Sequence, residues 1–425
     1  MNIQGEDDVV AAYPECYERY ESEARSYCRA FPFEISSAEN ATLCLSTGET
    51  FIDFLSAAGS LNYGHNDPDM KKALLQYIES NGVASSLDLH TSAKTSFIES
   101  LVSKIFAPRQ LDYKIQFTGP TGANAVEAAL KLARNVTGRS NVIAFTNGFH
   151  GVSLGALAAT GNRDNRRGGG VELNGVTRLP YDGYLDGVDT LDLAERMLRD
   201  PSGGIDSPAA FIVETVQGEG GLNVASSNWL RRLRALATSL DALLIVDDIQ
   251  AGCGRTGAFF SFEPSEIVPD IVVLAKSISG FGLPLSLVLM RPQYDVWRPG
   301  EHNGTFRGNN HAFVTGRVAI DKFWSGGQFA SEIATRAQLI QTRLRALGAA
   351  TGWVPLGRGM MQGLRCPSGL MAEEIRKRCI RNGLLLERCG PHDETLKLMP
   401  PLTIETSLLD DGLTRFSDAV LEVAA

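Results

Sequence analysis

The chain has 425 residues, 44% of them apolar, and carries 49 acidic against 40 basic side chains for a net charge of −9. That length allows two or three domains around a large core, and the composition is that of a globular protein rather than a disordered or fibrous one. With no basic block and no apolar run near the roughly 20 residues that span a bilayer, neither nucleic acid nor membrane is expected as a partner.

The N-terminal stretch MNIQGEDDVVAAYPEC lacks the charged-then-apolar layout of a secretory leader. The seven cysteines (16, 28, 44, 253, 366, 379 and 389) are scattered and never spaced C-x-x-C. Both features lead us to expect a cytoplasmic protein with reduced thiols, and the six histidines, with no H-x-x-x-H pair, add no metal site. Residues 1–60 read as an N-terminal segment contributing to a small domain, 61–315 as a large domain, and 316–425 as a C-terminal small domain. In LNYGHNDP, His65 and Asn66 suit a turn better than catalysis.

Within the large domain, TGPTGANAVEAALKLARNV is a glycine turn followed by a helical period that puts Val126, Ala129, Leu130 and Ala133 on one face. Short apolar runs then predict strands at Val142–Phe145, Ala210–Val213, Leu243–Val246, Ile271–Leu274 and Leu285–Met290. Between them lie a glycine-rich loop over 162–175 and a helix in SNWLRRLRALATSL with Trp229, Leu230, Leu233 and Leu236 inward. This alternation predicts an α/β fold with a mostly parallel sheet. Beyond residue 316, helices with a short sheet predict a smaller α+β domain.

In such a sheet, ligands bind beyond the carboxyl ends of the strands. The residues that follow the runs are Phe149 and His150, then Glu214, Gln217 and Glu219, then Asp247, Asp248 and Gln250, then Lys276. A lysine at the tip of a covered strand has two readings. It can form a buried ion pair with Asp247, a weak reason for keeping a charge inside. Alternatively, burial can leave it a neutral amine that condenses with an aldehyde. The second reading accounts for the whole edge. Pyridoxal phosphate needs a lysine for its aldehyde, a carboxylate for its ring nitrogen, a flat residue over its ring and an anion cradle.

The cradle candidate is TGPTGAN, where Thr121, Gly122 and Ala123 lead into the helix and its free N–H groups. An ordinary capped turn is the alternative there. GCGRTG (252–257) has the spacing of a dinucleotide loop, but AFFSFEP cannot open the helix such a loop requires.

The motifs LLIVDDIQAGCGRTGAFFSFE, VLAKSISGFGLPL, NGFHG and ETVQGEGG resemble the class III (ω-amino) aminotransferases, pyridoxal-phosphate enzymes of fold type I, over residues 30 to 405. AGSLNYGHNDP, EHNGTFRGNN and LMPPLTI narrow the resemblance to the branch that serves ectoine formation. It implies Lys276 as the cofactor-binding lysine, Asp247 at the ring nitrogen, Gln250 near the phenolic oxygen, Phe149 stacked on the ring, and Gly122 and Ala123 on the phosphate. Thr305 would reach the phosphate of a neighbouring subunit, implying a homodimer or a dimer of dimers. Glu219 takes the place of a gating glutamate, facing Lys397 where many members carry a carboxylate-binding arginine; a lysine offers a point charge rather than a fork. His150 and Arg255 read as structural.

The implied reaction is amino transfer from glutamate to the aldehyde of aspartate 4-semialdehyde. The rival readings are another ω-amine or aldehyde transaminase, and a non-catalytic binding module of the same fold.

Overall fold

The computed structural model describes residues 14–425, so most of the acidic N-terminal stretch lies outside the description. A seven-stranded sheet runs in the order Lys114–Phe117, Leu287–Met290, Ile271–Leu274, Leu243–Asp247, Ala210–Val213, Val142–Phe145 and Val176–Leu179. Leu287–Met290 is antiparallel to both of its neighbours, and the other strands share one direction. The five inner strands are buried at every position, as Val/Ile/Leu runs are when helices cover both faces. The edge strands, KIQF and VTRL, are partly exposed and mixed in composition, which is why no apolar run announced them.

Alternation along the strands sends side chains to opposite covers. Ala144, Ile212, Ile245 and Val273 pack beneath the helix Gly122–Thr137, whose Val126, Ala129, Leu130 and Ala133 are all buried. Phe145, Phe211, Val246 and Val272 belong to the core on the other side, together with Trp229, Leu230, Leu233 and Leu236 of the helix Ser227–Ser239. Each fully buried Leu or Ile stabilises the fold by about 1.5–3 kcal/mol. The five inner strands are therefore anchored from both sides, which fixes the position of their carboxyl ends.

Outside this layer, the strands Ile35–Glu39, Thr42–Leu45 and Thr50–Asp53 form a meander whose last member pairs in parallel with Leu384–Leu385. A four-stranded antiparallel sheet joins Val354–Arg358, Met361–Arg365, Thr395–Leu398 and Glu387–Cys389. The helices Gln328–Thr351 and Gly369–Arg381 pack on it, and Thr406–Ala424 packs on both helices and on Leu384–Leu385. The segment GCGRTG opens no helix. Its Arg255 is fully buried, donating through Nε and Nη2 to Asn62 Oδ1 and through Nη1 to the carbonyls of Met360 and Pro400. It pins the early and late parts of the chain to the strand ends. His65 likewise sits in the 61–66 turn, 3.1 Å from Asp53 Oδ2.

Candidate active site

Four inner strands end at one cavity of about 550 Å³, lined by Thr121, Gly122, Ala123, Phe149, His150, Glu219, Asp247, Gln250 and Lys276 among others. That size suits a small cofactor with its substrate.

Lys276 directly follows Ala275 at the end of Ile271–Leu274 and adopts a left-handed φ of +52°. Such a conformation is uncommon for a side chain of this size and directs attention to the position. Its Nζ donates to the Ala58 carbonyl at 2.8 Å, and among the described residues it forms no ion pair. The expected alternative, a Lys276–Asp247 pair, is thus overturned, because His150 holds Asp247. Burial lowers the Lys276 pKa, only partly countered by Glu219. The receiving carbonyl comes from a left-handed turn, with Ser56, Ala57, Ala58 and Gly59 all at positive φ. Gln250 Nε2 donates to the same carbonyl at 3.0 Å and to Glu219 Oε1 at 3.2 Å.

Asp247 is buried, with Oδ2 2.8 Å from His150 Nδ1 and Oδ1 accepting from the Ile249 amide. Burial alone would push the His150 pKa down, but the hydrogen bond and charge of Asp247 outweigh it and raise it. The imidazole therefore holds the Asp247 carboxyl group in place. Glu214, close by, accepts from the amides of Phe149 and Gly218, and burial pushes its pKa up to about 7. It fixes the backbone of the loop carrying Phe149.

Thr121 caps the helix Gly122–Thr137, its Oγ1 accepting from the Asn124 amide. The first helical amides have no partner within the helix. A Cβ on Gly122 would come within 2.7 Å of Ile249 Cδ1, so a side chain there would crowd the cradle. Pyridoxal phosphate fits these groups: an amine, a carboxyl group, an aromatic wall and a helix N-terminus meet in one cavity. Among the described residues, no cluster of metal ligands is present and no helix is long and apolar enough to cross a membrane. Thr305 is exposed in the turn Thr305–Arg307 and does not line this cavity.

Lys397 has no exposed side-chain surface. Its Nζ lies 2.8 Å from Glu219 Oε1 and 2.8 Å from Glu387 Oε1. Burial would lower its pKa, but the two carboxylates raise it well above the usual lysine value. Glu219 is held low, since Lys397 and Lys276 outweigh its burial, whereas burial and the neighbouring Glu219 push Glu387 up despite Lys397. Sequence reasoning found Glu219 and Lys397 but missed Glu387 and the His150–Asp247 bond. Glu387 faces Lys397 across an antiparallel strand pair, a register that only the folded hairpin reveals.

The aminotransferase class-III family model matches residues 24–420. A diaminobutyrate–2-oxoglutarate transaminase of Vibrio cholerae is 56% identical over 409 residues, 96% of this chain and 99% of its own length. The enzyme of the same name from Vibrio parahaemolyticus is 54% identical, with 96% and 98% covered. Among solved structures, the ornithine aminotransferase of Toxoplasma gondii, described with partial occupancy of PLP at its active site, superposes with a TM-score of 0.82 at 26% identity, covering 96% of this chain and 93% of that one.

Proposed function

The chain belongs to the class III aminotransferases, which depend on pyridoxal phosphate, and from that premise we propose that it transfers the amino group of L-glutamate to L-aspartate 4-semialdehyde, giving 2-oxoglutarate and L-2,4-diaminobutyrate. The observation that carries this reading is the Lys276 amine, depressed in pKa and joined through Ala58 O and Gln250 to the Glu219–Lys397 pair.

When bound, the cofactor supplies an electrophilic aldehyde and a ring that accepts the electron pair left on the substrate carbon. Thr121, Gly122 and Ala123 would hold its phosphate, Phe149 would cover its ring, and Gln250 would lie beside its phenolic oxygen. Asp247, held by His150, would supply the carboxylate that keeps the ring nitrogen protonated. A pair of unit charges at 4 Å is worth about 4 kcal/mol at an effective dielectric of 20. Lys276 Nζ takes the proton from the donor's α-carbon, a step for which a lowered amine pKa is suited.

Glutamate reacts through the amine beside its carboxylate, whereas diaminobutyrate carries the transferred amine at its far end. Glu219 therefore swings: turned away it frees Lys397 toward the donor carboxylate, and in place it covers that cation. We further propose a homodimer in which Thr305 completes the neighbouring subunit's phosphate site, a cytoplasmic location, and supply of diaminobutyrate to ectoine formation.

The test is product analysis with glutamate and a panel of aldehydes. Formation of 2,4-diaminobutyrate from aspartate 4-semialdehyde at the highest kcat/KM supports the reading. A clear preference for another aldehyde would replace it with a different ω-transaminase.

A further inference from the structure

Beside the cofactor cavity lies a second one of about 710 Å³, and Phe149 and Glu219 border both. Tyr27 and Glu387 line the second cavity. Glu387, Lys397 and Glu219 thus form a row: two carboxylates flank one buried ammonium at 2.8 Å on either side. With both carboxylates ionised, the row itself carries one surplus negative charge, which faces Lys276, the other amine acting on both Glu219 and Glu387. Gln250 donates to Glu219 and the Tyr27 hydroxyl donates to Glu387 Oε2 at 3.2 Å, but both donors are neutral and cancel none of it. Nearby Arg376 and Arg388 are engaged by Glu373, and Arg388 also by Asp393. Glu387 Oε1 is buried 2.8 Å from Lys397 Nζ, whose remaining contact is the Gly218 carbonyl at 3.4 Å. A lysine needing one counter-ion has been given two.

We infer that Glu387 sets substrate specificity: by neutralising Lys397 it leaves the charge of Glu219 free to recognise an ammonium on the carbon beside the substrate carboxylate. This rests on the functional reading above. With the reacting amine at Lys276, the far end of diaminobutyrate presents such an ammonium, and pairing it with Glu219 offsets the cost of a buried unmatched charge. A neutral Glu219–Lys397 pair without Glu387 would offer no such preference. When Glu219 swings away for glutamate, Glu387 competes with the donor carboxylate for Lys397. The residue therefore acts in opposite directions on the two half-reactions.

2,4-Diaminobutyrate and 4-aminobutyrate share one carbon chain and differ only in that ammonium. With the holoenzyme and 2-oxoglutarate, kcat/KM is expected to favour diaminobutyrate by at least about tenfold. In Glu387→Gln that ratio should fall by about tenfold, chiefly through a higher KM for diaminobutyrate, while the KM for glutamate falls. Glu387→Asp should restore most of the ratio. Wild-type enzyme using both amines equally well overturns the inference without any variant. So does a Glu387→Gln ratio within about twofold of wild type, even if both rates drop together. Turnover of neither amine by the wild type refutes the functional reading, and the inference with it.

Discussion

The molecule sets two lysines near one cavity, Lys276 half-buried and Lys397 fully buried, and treats them in opposite ways. Lys276 is given a carbonyl and, among the described residues, no ion pair, and burial lowers its pKa. Lys397 is given two carboxylates at 2.8 Å, and they raise its pKa well above the usual value. Burial is the largest single influence on both, and it pushes both the same way. The neighbours decide the outcome, leaving one amine with a lowered pKa and the other with a raised one.

Removing each lysine should separate these roles most sharply. Lys276→Ala is expected to slow the half-reaction with glutamate by about 10²–10⁴-fold or more, the range of general-base catalysis. Borohydride-reduced cofactor should disappear from the peptide containing residue 276, as read by mass spectrometry. Lys397→Met should act first on stability, since it leaves Glu219 and Glu387 facing each other without their cation. Breaking a buried pair in this way costs about 3–5 kcal/mol, measurable by chemical denaturation. Restored stability in the triple variant Glu219→Gln, Glu387→Gln, Lys397→Met would confirm that stranded charge is the cause. If Lys276→Ala were the more destabilised of the two single variants, the contrast between the lysines would be wrong.

The pH dependence should carry opposite signs. The folded pKa of Lys276 lies below that of the unfolded chain, about 10.4, so the unfolded state binds more protons between the two values. The stability of wild type relative to Lys276→Ala should therefore rise with pH through the window beneath about 10.4. The folded pKa of Lys397 lies above the unfolded one, so its contribution is complete below about 10.4 and is lost as pH climbs through the folded value. Denaturation midpoints from pH 7 upward for wild type and both variants would show this, provided each comparison is made at matched ionic strength.

The two lysines also differ in how far the sequence disclosed them. Lys276 stands at the end of a four-residue apolar strand, and the carboxylates, amide and aromatic ring of its cavity each follow another such strand. Local patterning and the rule that ligands gather at strand ends were enough to bring them together. The edge strands Lys114–Phe117 and Val176–Leu179 were missed because an edge needs no continuous apolar run. The surroundings of Lys397 depend on pairing at a distance. Glu387 meets it only through the register of Glu387–Cys389 on Thr395–Leu398. Ala58 meets Lys276 only because four consecutive left-handed residues turn its carbonyl toward the sheet, although three of the four are not glycine. Propensity argues against that conformation, so tertiary contacts must impose it.

The smallest expected effect tests the link between the two lysines rather than either one alone. Gln250 Nε2 bridges Ala58 O, which receives Lys276, and Glu219, which holds Lys397. A Cβ on Gly218 would fall 1.7 Å from Gln250 Oε1, so Gly218→Ala must push that amide out of place. Both charged neighbours survive such a shift, since each keeps another partner, and the loss is confined to hydrogen bonds of about 0.5–1.5 kcal/mol each. Turnover is therefore expected to fall by roughly tenfold, with stability lowered by about 1 kcal/mol. Gln250→Ala should reproduce the kinetic loss, and adding Gly218→Ala to it should cost almost nothing further, because the two substitutions remove the same bridge. Fully additive losses in the double variant would show that Gly218 acts through its own backbone, and that the two lysines are set independently.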